Sequence, residues 1–272
     1  MRPTCAFSRR RSAALRGAAE ARAVGWQPCV VKQESNVEKT TWDKWISNLH
    51  WISERILAKG GEVEGPELLP PIPLSQVDEF KRFTGLSLPK DFVETVTQFA
   101  GGFWFAWSLY EVRCTLRQEF PLRGGNREVP FIGISETKSL IEVYSEFQDE
   151  CLTGACNWIH RSEFDDNEDI LLTRVTLRYC FPLYSFCGGG GDFLVLRFDT
   201  EPSQILYLDH EWGFSVNGRA ILGCGFADFV TAWSNLGYPE VDRYSVFFDE
   251  GRGAISDETE MARDWIRWLN EP

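Results

Sequence analysis

The stretch CGGGGDFLVLRFDTEPSQILYLDH, from Cys187 to His210, does most to determine the expected fold of this chain. It opens with a glycine-rich turn. An apolar strand over 192–199 follows, then a short polar connection, and then a second strand over 203–209. Strands joined by so short a connection predict an antiparallel pair.

Helical patterns lie on both sides of this strand pair. Downstream, Phe226–Leu236 has helical spacing and is closed by Gly237-Tyr238-Pro239. Upstream, the sequence LSLPKDFVETVTQFAGG over 86–102 predicts another helix. Pro89 suits its first position, where the missing N–H costs nothing, and Gly101 is expected to end it in the left-handed conformation.

Four more helices are predicted from a capping hydroxyl followed by apolar residues at helical spacing. The expected caps are Thr40, Ser75, Ser135 and Ser256. The apolar residues assigned to the buried faces are Trp42, Trp45, Ile46, Leu49, Ile52 and Ile56; Val77, Phe80 and Phe83; Leu140, Ile141, Tyr144 and Phe147; and Met261, Trp265, Trp268 and Leu269.

Other segments favour extended structure. Aromatic and β-branched residues predict strands over Phe103–Val112, Val129–Ile134, Leu171–Val175 and Phe181–Phe186. On the first of these, Trp104 and Trp107 are three residues apart and should face opposite sides of the sheet. One of them is then available for contact, unless helices cover both sides. The segment 62–73 carries four prolines, which exclude helix and central strand and predict a linker or an extended strap.

Helices and antiparallel strands arrive in blocks instead of alternating one by one. This order predicts an α+β fold, with a mostly antiparallel sheet flanked by helices. We expect a basic tail over 1–39, a helix and proline-rich linker over 40–73, a compact domain over 74–249 and a C-terminal docking helix over 250–272.

The charge of the chain is unevenly distributed. The formal net charge is −12, yet residues 1–32 carry seven basic side chains and one acidic side chain. Their net charge of +6 leaves −18 for the rest, which repels nucleic acid and anionic lipid and attracts basic partners. The basic segment has the composition of a disordered tail or an organelle transit peptide, or reflects a start site placed too far upstream. The sequence contains no run of about 18 apolar residues, so it predicts no membrane span.

Eight cysteines are scattered through a chain that is long and apolar enough to fold without disulfides. Reduced thiols in a cytoplasm are therefore expected, with export and disulfides as the alternative. Cys151, Cys156 and His160 could supply three zinc ligands, but their spacing does not complete a four-ligand site. Buried apolar packing is the expected role of such cysteines, and no metal or cofactor is predicted.

Candidate catalytic and nucleotide-binding patterns do not meet their requirements. In Asp209-His210-Glu211 adjacent residues of a strand face opposite sides, so the carboxylates and the imidazole do not form a dyad. The glycine run 188–191 is followed by a strand, whereas a phosphate loop precedes a helix. Asp165, Asn167 and Asp169 are spaced like calcium ligands, but Ile170 and Thr176 occupy positions that need Gly and Glu.

Several short motifs, in order, resemble the SUKH superfamily, the SMI/KNR-like domain family of toxin-immunity proteins and cell-wall-synthesis regulators. The resemblance spans residues 76–236. It rests on Leu88-Pro89-Lys90-Asp91-Phe92, Ala100-Gly101-Gly102, Phe181-Pro182-Leu183, Gly189-Gly190-Gly191-Asp192, Ile205–His210 and Phe226-Ala227-Asp228-Phe229-Val230. Cys224-Gly225 departs from the family, in which a small residue and Ser precede the Phe. The resemblance implies an antiparallel sheet with flanking helices, a protein-binding function and no catalysis.

These observations predict a non-catalytic module that binds a basic protein, most simply as an immunity protein against a cognate toxin. A regulatory scaffold of the same family is the alternative, and a hydrolase using His210 with nearby carboxylates is the third. The acidic run with Asp165, Asp166 and Asp169 is the expected docking surface. Trp212, flanked by Asp209 and Glu211, is the expected hot-spot anchor.

Overall fold

The computed structural model describes residues 37–109, 123–126, 138–152, 176–186, 192–208, 219–239 and 246–272. Within these ranges the chain forms antiparallel sheets flanked by helices, which confirms the predicted α+β class. The strands are β1 (Glu62–Leu69), β2 (Gly102–Ser108), β3 (Arg123–Asn126), β4 (Cys180–Phe186), β5 (Asp192–Arg197), β6 (Gln204–Leu208), β7 (Arg219–Cys224), β8 (Phe248–Asp249) and β9 (Ala254–Ile255). The helices are α1 (Lys39–Ala58), α2 (Leu74–Thr84), α3 (Lys90–Glu94), α4 (Leu140–Leu152), α5 (Phe226–Asn235) and α6 (Glu260–Asn270).

Four strands form the main sheet in the order β4-β5-β6-β7, each antiparallel to the next. The predicted strands over 181–186, 192–199 and 203–209 are confirmed, with slightly different ends. The sequence does not single out β7, because Gly223 interrupts its apolar pattern and glycine is unfavourable in strands. The predicted strands Val129–Ile134 and Leu171–Val175 lie outside the described residues.

A second sheet has the order β1-β2-β3, with β1 at one edge. Residues 62–69 of the proline-rich segment therefore form an edge strand, which agrees with the predicted extended strap and not with the linker interpretation. An edge strand tolerates proline because the missing N–H can lie on the side that has no neighbour. Its register with β2 shifts between Glu64 and Glu67, at Gly65-Pro66.

The predicted apolar helix faces are largely confirmed. Trp45, Leu49, Ile52 and Ile56 of α1 are buried. In α2, Phe80 is buried but Phe83 is 64% exposed, so the prediction for Phe83 is wrong. In α4, Leu140, Tyr144 and Phe147 are buried. In α6, Trp265 and Leu269 are fully buried, and Met261 and Trp268 pack partly against the core.

The predicted helix caps are mostly wrong. Helix α1 begins at Lys39 with Glu38 at its cap position, so Thr40 lies inside the helix, and Pro73 precedes α2 where Ser75 was expected. The predicted cap Ser135 lies outside the described residues. Helix α4 begins at Leu140, and the backbone N–H and hydroxyl of Ser139 donate to the Glu142 carboxylate while the hydroxyl accepts from the Glu142 N–H. Thr259 replaces Ser256 before α6, because its hydroxyl accepts from the Ala262 N–H at 3.1 Å. Neither α1 nor α2 has a side-chain hydrogen bond at its cap position, so a hydroxyl ahead of an apolar stripe does not by itself fix where a helix begins.

Gly101 has a different role from the one predicted. The helix that starts at α3 ends in a π-helical turn, Thr95–Phe99, followed by an extended Ala100. Gly101 is not in the left-handed conformation. A Cβ atom on Gly101 would lie 2.7 Å from the carbonyl oxygen of Pro70, so close approach of the chain from β1 requires glycine here.

Two apolar clusters cover opposite faces of the main sheet. Leu194, Leu196, Ile205 and Tyr207 face the larger cluster, which includes residues of all six helices. Phe193, Val195, Leu206 and Leu208 face the smaller cluster, where Phe147 and Cys151 of α4 pack. Trp107 of β2 is buried in the larger cluster and donates to the Gly237 carbonyl at 2.9 Å, whereas Trp104 is half-buried. The two tryptophans therefore differ in exposure, as their spacing predicts.

Residues outside the predicted domain of 74–249 belong to the same core. Tyr238 donates to the carbonyl of Trp45 at 2.9 Å, and Trp265 of α6 donates to the carbonyl of Leu236 at 2.8 Å. Val37 is buried, and its N–H donates to the Glu94 carboxylate at 3.0 Å, although the sequence assigns it to the tail. Helix α1 and helix α6 are thus packed parts of the fold. No helix in the described ranges is long and apolar enough to cross a membrane.

Candidate functional site

An open cleft of about 400 Å³ lies where three chain segments meet. Its volume is within the range of about 300–1,000 Å³ that is typical of ligand-binding clefts. The first segment leads into α3, the second is the turn between β5 and β6, and the third joins β7 to α5. The lining residues are Ser87, Leu88, Pro89, Lys90, Asp91, Phe198, Thr200, Glu201, Pro202, Ser203, Cys224, Gly225 and Asp228.

Backbone and side-chain hydrogen bonds hold the turn between β5 and β6 in place. The Phe198 N–H donates to the Tyr179 carbonyl at 3.0 Å, and the Thr200 hydroxyl donates to the Pro202 carbonyl at 2.9 Å. The Gly225 N–H donates to the Ser203 carbonyl at 2.7 Å and ties this turn to the start of α5. Two walls of the cleft are therefore directly connected.

Asp91 connects the remaining wall to the same helix. One of its carboxylate oxygens accepts from the Ala227 N–H at 2.9 Å, although the two residues are 136 positions apart in the sequence. The other oxygen accepts from the Phe92 N–H at 2.8 Å. Helix α5 has Gly225 at its cap position, and glycine has no side chain to accept from the first N–H groups. Asp91 supplies that acceptor from another element.

Burial raises the pKa of the Asp91 carboxyl above its usual 3.8. The nearby Asp228 carboxylate adds to this rise, whereas the backbone N–H groups of Ala227, Phe92 and Phe226 lower the pKa. The carboxyl is thus held in a fixed orientation in a partly dehydrated position.

The rim of the cleft carries further charge. Glu201 and Asp228 are exposed carboxylates. Lys90 is also exposed, and its ammonium lies 3.8 Å from the Glu94 carboxylate. Carboxylates therefore outnumber basic groups three to one among the described residues that line the cleft.

Two of the sequence motifs, 88–92 and 226–230, come together here. Leu88 and Pro89 line the cleft, and behind them the rings of Phe92 and Phe226 meet edge to face with centroids 5.2 Å apart. Phe226 and Phe229 are buried on the inner face of α5. Asp192 begins β5, and Gly102 begins β2. Sequence reasoning named these positions but missed Glu201 and Asp228 as site residues, although a polar turn and an acidic first helical turn mark them.

The predicted docking residues Asp165, Asp166, Asp169, Asp209, Glu211 and Trp212 lie outside the described residues. The same holds for Gly190, Gly191, Cys156, His160 and His210. Within the described ranges, no group of three His, Cys, Asp or Glu side chains could hold a metal ion.

Among the cysteines that the structure describes, one departs from the prediction. Cys151 and Cys180 are buried thiols, as expected. Cys224, which lines the cleft, is disulfide-bonded, so the prediction of a reduced thiol is wrong there.

No family model, curated protein or solved structure matches the chain. The functional conclusion therefore depends on the cleft, the charge and the motifs that meet there.

Proposed function

We propose that this chain is a non-catalytic protein-binding module of the immunity type, which neutralises a cognate basic toxin by binding it. The observation that carries the proposal is the cleft itself. Segments that resemble the SUKH family converge there from positions 136 residues apart, and three carboxylates line it. Acidic surfaces attract basic partners and raise their association rate.

The rest of the molecule supports a basic partner. Residues 33–272 carry a net charge of −18, because the first 32 residues contribute +6 to a total of −12. A regulatory scaffold of the same family would use the same surface, and the identity of the bound protein would distinguish it from an immunity protein. The cytoplasm is the proposed location; the thiols of Cys151 and Cys180 agree with it, and the disulfide at Cys224 weighs against it.

The test is capture of the partner on the immobilised full chain, followed by binding kinetics at about 0.1 M and 1 M salt. The screening length falls from about 10 Å to 3 Å between these concentrations. We expect the association rate to fall about tenfold or more, since steering is lost. Lysine substitutions at Asp165, Asp166 and Asp169 should lower it further, and Trp212→Ala should speed dissociation.

A matched control reverses the same number of charges elsewhere. Glu62, Glu64 and Glu67 are exposed on the edge strand β1, and their replacement by lysine changes the net charge equally. An equal loss in both triple variants would show that only net charge matters. An association rate that does not change with salt concentration would contradict the proposed function.

A further inference from the structure

We infer that the cleft between the Leu88–Asp91 segment, the β5–β6 turn and the start of α5 is an anchor site for an arginine side chain of the partner. This inference rests on the proposed function and specifies its chemistry. It concerns described residues only, and none of them is among the docking residues predicted from the sequence.

The walls of the cleft suit a side chain with an apolar stem. Leu88, Pro89, Phe198 and Pro202 supply apolar surface along the lining. Phe198 is half-buried, and its ring is held edge to face by Tyr179 with centroids 6.4 Å apart. The methylene groups of a long basic side chain gain from such surface, and a guanidinium also stacks on aromatic faces.

The charges of the cleft suit a cationic end. Asp91 is fixed by two N–H donors, and Glu201 and Asp228 add exposed carboxylates near the opening. A carboxylate has about four acceptor positions, so the N–H groups of Ala227, Phe92 and Phe226 still leave Asp91 capacity for a further donor. Guanidinium binds carboxylates through two parallel hydrogen bonds, which favours arginine over lysine.

An anionic ligand fits this cleft poorly. The N-terminus of α5 would favour an anion, but Asp91 already accepts from the Ala227 N–H there. Asp228 in the first turn of the helix adds a second negative charge. A phosphate or carboxylate entering the cleft would therefore meet negative charge before it could reach the backbone donors.

The test is a titration of the full chain with N-acetyl-arginine amide. Binding is monitored through the backbone amide signals in a ¹H–¹⁵N spectrum. We expect saturable shifts at Thr200, Gly225 and Ala227. N-acetyl-citrulline amide has the same shape without the charge, and should leave these signals unchanged. Inorganic phosphate should also leave them unchanged.

Variants then locate the site. Glu201→Gln with Asp228→Asn should weaken arginine binding about fivefold to tenfold, which lies within the range of about twofold to thirtyfold for the loss of two exposed ion pairs. Both residues are exposed, so folding should persist, and an unchanged melting temperature would verify this. Glu54→Gln, an exposed carboxylate of α1 outside the cleft, serves as the control and should bind like the parent.

Three results would overturn the inference. They are equal binding of citrulline, stronger shifts with phosphate, and unaltered arginine affinity in the double variant. If the chain nevertheless captures a basic partner in a salt-dependent manner, the proposed function stands and only the anchor assignment fails.

Discussion

At the scale of single residues, Asp91 shows how a local motif acquires a role from a distant one. The sequence marks Leu88-Pro89-Lys90-Asp91-Phe92 as a motif but does not indicate what Asp91 contacts. In the fold, its carboxylate takes the place of the cap that Gly225 cannot supply to α5. Gly225 has a φ of 94°, in the region that favours glycine, so a serine there would be strained.

The raised pKa of Asp91 predicts a pH effect on stability. Because the folded-state pKa lies above the usual 3.8, the protonated carboxyl stabilises the fold below that pH, and this contribution is lost as pH rises through the folded pKa. Asp91→Asn removes the titrating group. The free energy of unfolding of the parent should therefore fall relative to that of the variant as pH rises above 3.8.

Urea unfolding at a series of pH values measures this difference. The Asp91 carboxyl carbon signal should titrate with a midpoint above 3.8, and Asp228→Asn should lower that midpoint because one source of the rise is removed. A midpoint at or below 3.8 would contradict the assignment.

At the scale of elements, apolar spacing predicted the helices better than capping motifs did. The stripes of α1, α4 and α6 follow from a 3.6-residue period, which every turn of a helix reinforces. A cap is a local feature at one helix end, and α1 and α2 form without any side-chain hydrogen bond at that position. The cleft was less predictable still, because it joins Asp91, Glu201 and Asp228 from three elements and only the folded chain sets their proximity.

Docking of α6 is predicted to contribute strongly to stability. Trp265 and Leu269 are fully buried, and each such side chain contributes about 1.5–3 kcal/mol. Trp265 also stacks between Trp107 and Trp268, with ring centroids 6.1 Å and 5.4 Å away. Truncation after Gly253 should lower the melting temperature by several degrees or make the protein insoluble.

Point variants separate this contribution from the effect of shortening the chain. Trp265→Ala should cost about 3–5 kcal/mol, as measured by urea unfolding. Arg263 is exposed on the same helix, and Arg263→Ala should leave the stability nearly unchanged. An unchanged melting curve for the truncated chain would mean that α6 does not support the fold.

At the scale of the whole molecule, the compact unit extends beyond the domain of 74–249 that the sequence predicts. Helix α1 precedes that region, yet it contacts α5 through several hydrogen bonds. Trp45 donates to the Thr231 hydroxyl at 3.0 Å, and the Asn48 side chain donates to the Ser234 hydroxyl and to the side-chain amide oxygen of Asn235 at 3.1 Å each. Gly237 packs directly against Ile52 of α1. A Cβ atom on Gly237 would lie 2.6 Å from the Cδ1 atom of Ile52, so a residue larger than glycine does not fit.

We therefore predict that residues 74–249 do not fold alone. The four buried side chains of α1 each contribute about 1.5–3 kcal/mol, and their gross sum rivals the whole stability of a typical domain, about 5–15 kcal/mol. The isolated fragment should lack near-ultraviolet circular dichroism and a cooperative urea transition. A chain of residues 33–272 retains α1 and α6 and serves as the control, in which both signals should persist. Cooperative unfolding of the 74–249 fragment would instead show that α1 and α6 are additions to an independent domain.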